Sequence, residues 1–122
     1  EIMWVIYLIY LLIIFQVILL VSGQMLWKIE LSKFGNISAG NIVKILFSPN
    51  ILLGIFIYII ATFVWFYILS KGTFNIVYPL QLSLAAILGV SLSIVLLHES
   101  ITLTRLGGII CLVVGAFLIV NK

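Results

Sequence analysis

Between Glu1 and Lys28 the chain carries no charged side chain, and almost every residue in that interval is apolar. A helix rises about 1.5 Å per residue and the hydrocarbon core of a bilayer is about 30 Å thick, so about 20 such residues cross it. Three more apolar runs follow, from Ile51 to Ser70, Phe74 to Leu97 and Ile101 to Val120. A segment that crosses lipid must satisfy its own backbone hydrogen bonds, which makes each run a helix. The expected fold is an all-α integral membrane protein: a single four-transmembrane-helix bundle over 1–122, with spans at about 2–26, 51–70, 74–97 and 101–120. A cleaved leader would start basic and hold an apolar core of about 7–15 residues. The first run starts on Glu1 and is longer, so it reads as a retained span.

Composition narrows the function. Charged residues make up 7% of the chain, against about a quarter in soluble domains, too few for a water-facing surface. The net charge of +3 is spread over links and ends, which excludes the clustered basic footprint of a nucleic-acid binder. One cysteine and one histidine cannot make a metal cluster, and neither a Ser/His/acid set nor a phosphate loop is present. The chain is therefore expected to be no enzyme and to need no cofactor.

The polar residues inside the spans are the informative ones. Gln16, Gly23, Gln24 and Trp27 follow the spacing of one helical face. An amide in hydrocarbon needs a partner, so this face should point into a bundle or cavity, either as glue between helices or as substrate contact. Gly54, Tyr58, Thr62 and Trp65 form a second stripe, and Tyr78-Pro79 opens the third span. Pro79 stands at that helix's first turn or, if the helix begins upstream, inside it, where it frees a carbonyl. The candidate substrate cavity is Gln16, Gln24, Tyr58, Trp65, Tyr78 and Gln81.

Two stripes of small residues, Ala85, Gly89, Ser93 and Gly107, Cys111, Gly115, with Gly108 beside the second, let helices approach closely in lipid. Four helices enclose no large path alone, so the expected partner is a second copy or a homologous small subunit in an antiparallel dimer. Gly108, Cys111 and Gly115 should supply much of that contact. His98 and Glu99, where the third span ends, read as a polar end-cap or as a headgroup or proton site, with Arg105 and Lys28 as further candidates. Between the first two spans, Ser38 is expected to cap a short amphipathic piece that lays Ile42, Val43, Leu46 and Phe47 on the membrane surface. Lys28, Lys33, Lys44 and Arg105 fall on one side, Lys71 and Lys122 on the other, an excess that favours both termini outside the cytoplasm.

Gly23-Gln24 with Lys28, then Tyr78-Pro79, His98-Glu99, and Arg105 with Gly108 and Gly115 resemble the drug/metabolite transporter superfamily in its short four-helix form. Its small multidrug resistance branch uses a first-helix glutamate shared by proton and cationic substrate. Leu20 stands at that position here, Gln81 replaces an expected aromatic, and Ser83 and Ala85 replace glycines. The chain looks closer to the EamA-like proteins and to the paired small subunits proposed to flip aminoarabinose-linked undecaprenyl phosphate. The resemblance implies a transporter or flippase subunit for a polar headgroup, such as a polyprenyl-phosphate-linked sugar, in a cell membrane, most naturally a bacterial inner membrane. The alternatives are proton-coupled export of small cations and a non-transporting assembly subunit.

Overall fold

The computed structural model describes residues 2–121, without the side chain of Ile2. Five helices follow one another: α1 (Ile2–Phe34), α2 (Ile42–Leu46), α3 (Pro49–Lys71), α4 (Phe74–Leu96) and α5 (Leu103–Asn121). All but the short α2 are long and apolar enough to cross a membrane. The fold is all-α, a four-span bundle, and the chain is a multi-pass membrane protein.

Its surface fits lipid and not water. Phe15, Phe56, Phe63, Phe66 and Phe117 are all exposed, in company with many aliphatic side chains. Apolar patches of that extent would drive aggregation in water, whereas in lipid they meet a solvent as apolar as themselves.

The core is narrow. Ile9, Ile13, Val17 and Val21 recur every fourth residue along α1 and are buried against Ile68 of α3 and Val77 of α4. Residues 16, 23 and 30 of α1 meet 61, 54 and 50 of α3 in that order, so the two helices are antiparallel. Gly23 and Gly54 mark a close crossing. A Cβ on Gly54 would stand 3.0 Å from the Gly23 carbonyl oxygen and 2.7 Å from Trp27 Cδ1. Trp27 fills the next gap, donating from Nε1 to the Ile51 carbonyl (3.2 Å) and stacking on Tyr58 with ring centroids 5.4 Å apart. Beyond it, Asn50 Nδ2 donates to Glu30 Oε1 (2.8 Å), and Glu30 also pairs with Lys33 (3.5 Å).

The element ends differ from the expected ones where charge and helix part company. α1 continues eight residues past Leu26, since its end is Phe34. At 33 residues it is about 50 Å long, so its last turns stand clear of the hydrocarbon. Gly35 stops it with φ 72°, the left-handed conformation that a glycine takes without steric cost. The residue preceding α2 is Asn41, not Ser38. Asn41 Nδ2 donates to the Asn36 carbonyl (2.9 Å), and its Oδ1 accepts from the Ser38 N–H (2.8 Å). α2 exposes Ile42, Val43 and Leu46, with Phe47 exposed just after it, as expected of a surface piece, while Ile45 is buried.

α3 opens with Pro49 at its first turn, where a missing N–H costs nothing. Gly72 and Thr73 alone join it to α4. Gly72 is there for space, because a Cβ would stand 2.6 Å from Val77 Cγ1. α4 begins at Phe74, which puts Pro79 inside the helix and leaves the Asn75 carbonyl without its usual donor. Hydroxyls within the spans turn back on their own helix, as Thr62 does to the Tyr58 carbonyl (2.9 Å) and Ser93 to Val90 (2.8 Å).

α4 ends where the Leu97 and Glu99 N–H groups both donate to the Ser93 carbonyl (3.1 and 3.2 Å). His98 lies between them at φ 57°, the wrap that a helix end more often assigns to glycine. Thr102 Oγ1 accepts from the Arg105 N–H (3.2 Å) and caps α5. α5 lies against α4, and Ala116 is its one buried residue. Glu1 and Lys122, which entered the charge balance, lie outside the described residues.

Candidate functional site

Two groups of polar residues lie between the spans. The first is a buried chain of amides. Gln16 on α1 is 2% exposed and Gln81 on α4 is 8% exposed. Gln81 Nε2 donates to Gln16 Oε1 (2.9 Å), and Gln16 Nε2 reaches the Ala61 carbonyl on α3 at a long 3.4 Å. Three helices are thereby tied at one level. The two amides bond each other in a buried position, which is the glue role of such side chains in lipid.

The other proposed cavity residues do not join this pair. Gln24 is exposed on α1, and Tyr58 is exposed with its ring on Trp27. Trp65 is partly buried against the core cluster, and Tyr78 is exposed and stacked on Phe74 at 5.0 Å. No single polar wall runs through the six.

The second place is a groove of 390 Å³ between the C-terminal half of α4 and the N-terminal half of α5. Val90, Ser93 and Ile94 line it from α4, and Arg105, Gly108, Ile109 and Leu112 line it from α5. Glu99, Ser100 and Ile101 of the connecting link line one end. Its volume lies in the range of about 300–1,000 Å³ usual for ligand sites. The walls are apolar and the mouth is polar. Gly108 lines the groove without a side chain, and a Cβ there would meet nothing within 4 Å.

Among the described residues the one ion pair is Lys33–Glu30, so Glu99 and Arg105 share the groove without pairing. Both are exposed, as are His98 and Lys28, and neither His98 nor Lys28 lines the groove. Two residues expected to serve packing, Ser93 and Gly108, thus stand beside two expected to meet a headgroup, Glu99 and Arg105. Val90, Ile94, Ile109 and Leu112 are further lining residues; their helical spacing around Ser93 and Gly108 is the signal that places them.

The remaining glycines of α4 and α5 make no close contact inside the chain. A Cβ on Gly89, Gly107 or Gly115 would meet nothing within 4 Å. Gly107 and Cys111 are exposed, while Ala85 packs at the margin of the core.

The chain matches no protein-family model, no curated protein and no solved structure.

Proposed function

We propose that this chain is one subunit of a membrane transporter that carries the polar headgroup of a lipid across the bilayer. The α4–α5 groove receives the headgroup, and the tail stays in the membrane. The observation that supports this reading is the groove's construction: apolar walls along two spans end in a carboxylate and a guanidinium that do not pair with each other. A headgroup phosphate suits Arg105, and the resemblance to flippase subunits points the same way. The setting would be a bacterial inner membrane. Proton-coupled cation export has less support, because Glu30 and Glu99 both stand near helix ends and Leu20 occupies the position of the exchanger's glutamate.

The working unit would be an antiparallel dimer joined through α5, the helix with least burial in the chain. Cys111 is exposed and is the ninth of nineteen residues in α5, close to its middle, so a partner helix of either direction brings a second Cys111 near. A membrane-permeant oxidant applied to native membranes should give a cross-linked dimer that Cys111→Ser removes. Monomers alone would refute this dimer.

Transport itself is tested in vesicles carrying a trace of polyprenyl-phosphate-linked sugar, read with impermeant periodate, or of aminophospholipid, read with an impermeant amine reagent. Without the protein only the outer leaflet reacts. With it, at least one probe should react beyond that share, and Arg105→Gln should remove the gain. If neither probe moves, the transport reading is wrong.

A further inference from the structure

We infer that the α4–α5 groove selects a membrane lipid whose headgroup carries both a phosphate and an ammonium, as phosphatidylethanolamine does. The inference rests on the groove being the headgroup site named above, and not on the headgroup being moved.

Three observations lead to it. First, Glu99 and Arg105 line one groove without forming an ion pair, so each presents its charge to whatever enters. A purely anionic headgroup would meet repulsion from Glu99, and a purely cationic one repulsion from Arg105. A zwitterion satisfies both. The planar guanidinium offers paired N–H donors to phosphate oxygens, and the carboxylate accepts from an ammonium. Ser100, on the same link, adds a hydroxyl between them in sequence.

Second, the groove continues from this mouth along apolar side chains, Val90, Ile94, Ile109 and Leu112, into the span. An acyl chain fits such a wall, and Gly108 leaves the room for it. Third, the mouth is the link between two spans, where the chain leaves the hydrocarbon and lipid headgroups lie. These features commit the site to a lipid and not to a soluble zwitterion.

The test is native mass spectrometry of the purified full chain with equal amounts of phosphatidylethanolamine, phosphatidylglycerol and a neutral monoglycosyl diacylglycerol. Phosphatidylethanolamine should be retained best. Arg105→Gln should weaken retention of both phospholipids roughly tenfold, the loss expected for one charge-assisted hydrogen bond. Arg105→Lys should restore much of it. Glu99→Gln should bring phosphatidylethanolamine down to the level of phosphatidylglycerol, and Lys71→Gln, on the opposite side of the bundle, should change nothing. Equal retention of the three lipids, or unchanged retention in Arg105→Gln, would overturn the inference. Displacement of the bound lipid by an equal concentration of glycerophosphoethanolamine, which lacks the chains, would overturn the lipid as its source. Retention without movement in vesicles leaves this inference standing and ends the transport reading. Movement without a two-charge preference does the reverse.

Discussion

Replacing Gly54 by leucine should lower the stability of the extracted protein by about 3 kcal/mol, the upper part of the usual range for overpacking. The side chain has nowhere to go. Its Cβ alone would stand 3.0 Å from the Gly23 carbonyl oxygen and 2.7 Å from Trp27 Cδ1. Trp27 would have to leave, losing its bond to the Ile51 carbonyl and its stack on Tyr58, or α1 and α3 would have to separate. The gain in helix propensity over glycine is about 1 kcal/mol and does not offset this. Gly108→Leu is the control, because a Cβ there meets nothing within 4 Å. It should leave stability unchanged or raise it by up to about 1 kcal/mol. Thermal unfolding in detergent, followed by circular dichroism, compares the two. Equal midpoints would remove Gly23–Gly54 as the crossing on which the bundle is built.

Gln16→Leu and Gln81→Leu should each cost about 1–2 kcal/mol, since either change leaves a buried amide without its partner. Gln16→Leu should cost more, because Gln16 bonds both Gln81 and the Ala61 carbonyl. The double variant should be less destabilised than the sum of the two by about 1 kcal/mol, within the range measured for polar pairs in membranes. Denaturant titration of the four proteins measures that coupling. Additive losses would show that the amides do not act on each other.

These two contacts also show how far the sequence could be read. Four spans were legible because span length and apolarity follow from bilayer thickness alone. The ends were less so. Lys28 ends the apolar run but not the helix, which continues through good helix formers until Gly35 adopts φ 72°. Gln24 was grouped with Gln16, yet at 100° per residue it lies about 80° off the line through Gln16, Gly23 and Trp27, and it is exposed.

The repeated small residues of α4 and α5 predict close packing, and within the chain no Cβ contact forms at their glycines. The unrepeated Gly23 and Gly54 make the crossing instead. A glycine permits close approach, and only the facing helix decides whether it happens. In the same way, buried Gln16 and Gln81 each need a partner, and each is the other's. That pairing is tertiary and no local pattern carries it. At the candidate site, Glu99 and Arg105 were visible as charges at a span end, but the groove joining them to Ser93 and Gly108 depends on how α5 leans on α4.

Headgroup movement in reconstituted vesicles, compared between two variants, separates the groove from the amide chain. The doubly changed Gln16→Leu/Gln81→Leu protein should still move the headgroup once folded, because its amides hold helices together. Gly108→Leu, equally well folded, should not, because its side chain fills the groove. Movement retained in Gly108→Leu and lost in the folded double variant would contradict the groove as the site.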